Sequence, residues 1–308
     1  ASSMPGYEDI VTATIVFPNV EIGDEVVLKT VLHQIIPWIP NQFAAGRTYA
    51  RYTVVKDASV AISVPQNYPL LVDAAGLDGG DVMSEGGKSR QSWSFHNDTA
   101  QPVEPGAVLN AGANPHVYVS SFADYAAVAH AADGWFKDKA AVTPEIRALA
   151  DQLTAGISDP RAQAEKLYDW VSSHVSYVQI VLGAGGFVPH AASEVLANRF
   201  GDCKDHVMLL GALLAAKGIA SSPVLIGAGP SFDLPRAPTP YAFNHVITYI
   251  PQFKLFADST AQFAPFGGLP GGDAGRPVIL TATGEEMQTP PLDATDNRIS
   301  VVEKIDIS

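Results

Sequence analysis

A single cysteine, Cys203, is all that the 308 residues provide, so no disulfide can form within the chain. Long hydrophobic runs are missing too. The longest apolar stretches are broken by proline, glycine or charge before about eighteen residues, which leaves no hydrophobic span for a membrane helix. Positive charge is scarce: 19 Lys and Arg stand against 32 Asp and Glu, a formal balance of -13. Those basic residues are scattered, and nucleic-acid binding needs them clustered, so a nucleic-acid partner is excluded. Cofactor motifs are lacking as well. The glycine-rich residues 183–186 are not followed by the Lys-Ser/Thr of a phosphate loop, and no His-x-x-x-His spacing or second cysteine accompanies Cys203 and His206 toward zinc. No cofactor and no metal are expected. Residues 1–3 lack the charged segment and apolar core of a signal peptide, and one unpaired thiol is compatible with either side of a membrane.

What is present is apolar bulk: 47% hydrophobic and 17% charged residues are ample for a buried core. Strand-like pieces at 11–17, 25–32, 49–55 and 59–64 are separated by turn residues, which predicts a β-rich region over residues 1–117, sandwich-like or an open barrel. Residues 97–115 read as a connection and residues 78–87 as a hairpin loop. From Tyr125 the period becomes helical. Thr143-Pro144-Glu145 and Ser158-Asp159-Pro160 are helix starts, predicting helices over 144–155 and 160–174. A strand at 177–181 and a short helix at 191–198 lead to the clearest helix, which Asp202 caps and Gly218 stops. Strands at 222–226, 245–250 and 254–258 follow. The expected division is 1–117, a catalytic region 118–270 and a C-terminal β extension 271–308, strand-like at 278–282 and 299–307.

Cys203 falls in the first turn of the predicted central helix, where unpaired N–H groups and the positive dipole end favour a thiolate. A lone cysteine is an ordinary core residue, but this one precedes the apolar run rather than lying within it. A nucleophilic thiol needs a base and a group to orient that base. His245 opens one strand and Asp258 ends the next, and a hairpin turn near Pro251-Gln252 brings them within a residue or two of register. Gln179 is the candidate second oxyanion donor beside the N–H of Cys203. Asp205 reads as a structural partner of the helix start and His190 as a helix cap. Residues 183–186 and the loop 227–240, with Phe232 and Tyr241, are expected to wall a cleft.

The order Gly201-Asp202-Cys203-Lys204-Asp205, then an apolar helix ending Lys217-Gly218-Ile219, Asn244-His245-Val246 on a strand and Phe256-Ala257-Asp258-Ser259-Thr260 on the next, resembles the transglutaminase-like superfamily. Trp170, Pro189-His190 and Arg199-Phe200-Gly201-Asp202 resemble the same core in bacterial proteins where a β-rich domain of unknown function precedes it. The likeness spans roughly residues 120–265. It implies an α+β, papain-like core, with the cysteine helix packed on an antiparallel sheet. It also implies a Cys203-His245-Asp258 triad acting through an acyl-enzyme on a peptide, protein or small amide, with water or an amine as acceptor. A periplasmic or secreted location goes with it. The alternative is a non-catalytic module that keeps the cleft for a peptide or glycan.

Overall fold

The computed structural model describes residues 14–31, 33–35, 37, 39–102, 112–179, 186–229, 231–293 and 300–305. Its first half is strand: β1 (Ala44–Thr48), β2 (Val55–Pro65), β3 (Leu71–Ala75), β4 (Asp78–Gly79), β5 (Met83–Glu85), β6 (Lys88–Asn97) and β7 (His116–Ser120). One antiparallel sheet runs β1-β7-β3 and a second β2-β6-β4, with β5 also on β6. Trp93 on β6 buries against Val117 and Val119 on β7, with Val60 and Ile62 packed beside them. Two sheets share that core, as in a sandwich.

Three expected strands are absent from their predicted places among the described residues. Described residues 14–31 form turns and coil, with Ile15, Val16, Ile22, Val27 and Leu28 exposed. Strand propensity without a partner ladder does not make a strand. Residues 49–54 are likewise a turn between β1 and β2, held by Tyr49 N–H donating to the Pro115 carbonyl (2.8 Å). Leu32, 11–13, 103–111, 180–185 and 299 fall outside the described residues, and 300–305 carry no strand.

The second half is mixed: α1 (Tyr125–Phe136), α2 (Pro144–Leu153), α3 (Pro160–His174), β8 (Ser176–Tyr177), α4 (Ala192–Asn198), β9 (Phe200–Gly201), α5 (Cys203–Ala216), β10 (Ser222–Ile226), β11 (His245–Ile250), β12 (Leu255–Ala257), β13 (Pro277–Leu280) and β14 (Glu286–Gln288). Helix starts follow the capping chemistry: Thr143 Oγ1 accepts from Ile146 N–H (3.3 Å) and Asp159 Oδ2 from Ala162 N–H (3.0 Å). Strands β12-β11-β10-β13-β14 make one antiparallel sheet. Residues 277–288, within the expected C-terminal β extension, supply two of its strands.

The sheet alternates by face. Leu225, Val246, Ile250 and Ile279 join the helical core, whereas Val224, Ile226, Ile247, Val278 and Leu280 form a second cluster behind. Beyond its polar first turn, helix α5 is apolar and packs against α2, α3, α4 and β11, with Leu209, Leu210, Leu213 and Leu214 fully buried. No helix among the described residues is long and apolar enough to cross a membrane.

Removing one of these leucines leaves a cavity that the packed helix cannot close. Leu213→Ala should lower the unfolding free energy by about 2–5 kcal/mol in urea denaturation, whereas the exposed Phe263→Ala should stay within about 0.5 kcal/mol. Equal effects would contradict the placement of α5 at the centre.

Candidate active site

Cys203 occupies the first position of α5, and the residues around it explain how a helix end is held inside the protein. Asp202 is the N-cap, its Oδ1 accepting from Lys204 N–H at 3.1 Å, while Asp205 reaches back to accept from Asp202 N–H at 3.2 Å. This reciprocal box satisfies two of the orphan donors of the helix start. Asp205 also accepts from His190 N–H (2.8 Å) and pairs with His190 Nδ1 (3.0 Å). His190 is therefore not the cap of α4. That position is Ala191, whose N–H donates to Glu194 Oε2 at 3.0 Å.

Lys204, buried in the first turn, forms an ion pair with Asp202. Gly201 permits the close approach, since a Cβ there would sit 2.5 Å from Asp205 Cβ. His206 is buried in the same first turn: its Nδ1 bonds the Ser259 carbonyl at 3.0 Å, and burial pushes its imidazole below the ordinary range.

His245 opens β11 opposite Ile226 of β10, and Asp258 follows β12, whose register pairs Ala257 with Thr248. The 3-10 turn Pro251–Phe253, closed by Lys254 at φ 51°, makes the hairpin. Across it His245 Nε2 lies 3.1 Å from Asp258 Oδ2. The other carboxylate oxygen of Asp258 accepts from Thr260 N–H (2.9 Å) and Thr260 Oγ1–H (2.7 Å). Tyr168, on α3, fixes the backbone there by donating to the Asp258 carbonyl at 3.1 Å.

Burial pulls the His245 imidazole down, but the hydrogen bonds to Asp258 and Cys203, with their charges, outweigh it and push its pKa up to about 10. For Asp258, burial works upward and is overcome by the His245 hydrogen bond and charge and by Thr260, leaving the carboxyl below its ordinary range.

Cys203 and His245 lie in the wall of a cavity of about 140 Å³. Its lining is mostly apolar and includes Ile39, Trp135, Phe136, Phe187 and Phe243. Trp135 and Phe187 meet with ring centroids 5.4 Å apart. The aromatic wall differs from the expected one: Phe232 stacks on Arg276, 3.5 Å from guanidinium to ring, and Tyr241 lines a neighbouring depression beside β1. Gly186 lines the cavity, and 183–185 lie outside the described residues.

Gln179 is exposed and follows directly on the β8–β9 ladder, where Val178 N–H bonds the Gly201 carbonyl at 2.9 Å. Sequence reasoning missed Asp273. It is 3% exposed, and one of its carboxylate oxygens lies within 4.8 Å of both a ring nitrogen of His245 and an oxygen of Asp258. No spacing signal could have found it, because only the return of the loop before β13 brings it there.

Residues 147–231 match the model of the Transglutaminase-like superfamily, and residues 1–102 match DUF3857, a domain of unknown function with a solved structure. That superfamily match includes Cys203 and ends before His245 and Asp258. A crystal structure named "putative protease" from Parabacteroides distasonis superposes with a TM-score of 0.66 at 19% identity, covering 83% of this chain and 49% of that one. That likeness is one of fold, and this chain spans about half the length of that protein. A "putative cysteine protease" from Cytophaga hutchinsonii gives a TM-score of 0.32 at 13% identity, covering 71% of this chain and 78% of that one. No curated protein matches the chain.

The raised His245 pKa has a stability consequence. The fold favours the protonated ring, so this stabilisation is complete below the unfolded value of 6.5 and is lost as pH climbs through about 10. Urea denaturation between those limits should show wild-type stability falling with pH more steeply than that of His245→Gln. Parallel profiles would contradict the ion-paired ring.

Proposed function

We propose that the protein is a cysteine-dependent acyltransferase or hydrolase in which Cys203 is the nucleophile, His245 the proton shuttle and Asp258 the orienting carboxylate. One observation carries this reading. A thiol at a capped helix start and an imidazole bonded at 3.1 Å to a buried carboxylate line the same cavity. In the reaction the thiol proton passes to His245 and the Cys203 sulfur attacks the acyl carbon. Collapse of the tetrahedral intermediate expels the amine, which takes the proton back from His245, and leaves a thioester. Water then gives hydrolysis and an amine gives transamidation, with His245 accepting the proton of the incoming group. The Cys203 N–H is one oxyanion donor and Gln179 the candidate for the second.

The substrate class is an amide in a peptide or protein. The apolar lining around Cys203 favours a hydrophobic side chain next to the scissile group. Burying such a side chain is worth about 1.5–3 kcal/mol, so peptides carrying Leu or Phe there should outperform those carrying Asp by about tenfold or more in kcat/KM.

Iodoacetamide alkylation of Cys203 tests the thiol–imidazole pair directly. Wild-type protein should react rapidly well below pH 8.5, the ordinary range of a free thiol, and His245→Ala should lose that low-pH reactivity. Ordinary thiol behaviour in both proteins would overturn the enzyme reading in favour of a binding module. Product mass spectrometry with and without an added amine then separates hydrolysis from transamidation.

A further inference from the structure

We propose that Asp273 is a positioning residue that shares a proton with Asp258 and thereby sets how strongly Asp258 holds the His245 ring. The inference rests on the thiol–imidazole reading above. Two buried carboxylates, 3% exposed each, have oxygens within 4.8 Å of one another and of the imidazole. Carboxylates this close and this dry do not both ionise freely, so one keeps a proton or a cation lies between them.

Asp258 is the one committed to the anion. Its Oδ1 already accepts two bonds from Thr260, and its Oδ2 faces His245. Asp273 is the opposite case. Its Oδ2 is buried with no hydrogen-bond partner among the described residues, an acceptor that becomes a donor toward Asp258 once it carries a proton.

The backbone leaves Asp273 little freedom to turn away. Its N–H bonds the Pro270 carbonyl at 2.9 Å, its own carbonyl accepts from Thr289 Oγ1–H at 2.5 Å, and the neighbouring Gly272 carbonyl accepts from Gly229 N–H at 3.0 Å. Arg276, three residues on, directs its donors to the carbonyls of Gly229 (2.8 Å) and Ala274 (2.9 Å) and stacks on Phe232.

The charged and titratable groups that act on Asp273 are Asp258, His245 and Arg276. Burial and then the Asp258 charge push its carboxyl up, His245 and Arg276 pull it down, and the balance falls at about 7. Below neutrality the proton on Asp273 partly neutralises Asp258 and loosens its hold on the imidazolium. Above neutrality the full negative charge beside the ring favours the thiolate–imidazolium pair.

The test is the pH profile of Cys203 alkylation by iodoacetamide in wild type and Asp273→Asn. The asparagine amide donates a hydrogen bond at every pH and never ionises. Wild type should show an inflection near pH 7 worth about threefold to tenfold in rate, up to one unit in the ionisation of the pair. Asp273→Asn should lack it while keeping the low-pH reactivity that His245→Ala loses. Superimposable wild-type and Asp273→Asn profiles would overturn the proposal without touching the nucleophile assignment, which fails only if His245→Ala keeps that reactivity.

Suppression of alkylation by added Zn²⁺ in wild type but not in Asp273→Asn would assign a cation to the site and also overturn it. Should the variant not fold, the aspartate carboxyl 13C resonances of wild type decide. One buried carboxyl titrating near pH 7 supports the shared proton, and both ionised throughout pH 5–8 overturns it.

Discussion

Burial of a helix start is the constraint on which the candidate site depends. The first turn of α5 is polar, with Asp202, Lys204, Asp205 and His206 all buried beside Cys203, and each such group costs free energy unless it is partnered. Asp202 caps the Lys204 N–H, Asp205 accepts from the Asp202 N–H, Lys204 pairs with Asp202, and His190 closes on Asp205. The remainder of the helix is apolar, buried but for Gly211 and its last two residues, and is fixed by its neighbours. A thiol in that position is held at one place and one orientation, which is what a nucleophile needs and what an adaptable surface cysteine lacks.

The sheet supplies the other half by register. Because β11 and β12 are joined by a short 3-10 turn, a strand-opening histidine and a strand-ending aspartate meet at the same sheet end, near the N-terminus of α5. Tyr168 from α3 and Thr260 from the following turn then stiffen Asp258. The aromatic cavity beside Cys203 draws on distant parts of the chain, Ile39, Trp135, Phe187 and Phe243 among them. Under the proposed function, substrate preference belongs to the packing between segments rather than to one recognition loop.

Much of the second half was legible in the sequence because its signals are local. Pro144 and Pro160 at helix starts, the cap at Asp202 and the stop at Gly218 each act within a turn or two, and the helices begin where those residues stand. His245 and Asp258 could be related because a hairpin is also a short-range object. The early strands were misread where apolar alternation had no partner to pair with, as at Ile15 and Val27. Asp273, the Phe232–Arg276 stack and the cavity wall depend on contacts between residues far apart in the chain, and no spacing rule carries that information.

The central claim is that thiol, imidazole and carboxylate work as one unit, and the ring nitrogens of His245 report on it directly. Their 15N chemical shifts, followed from pH 5 to pH 10 in wild type and in Cys203→Ser, should show an imidazolium persisting through neutrality in wild type and titrating earlier in the variant. A ring that titrates near 6.5 in both proteins, the ordinary value for histidine, would contradict the account.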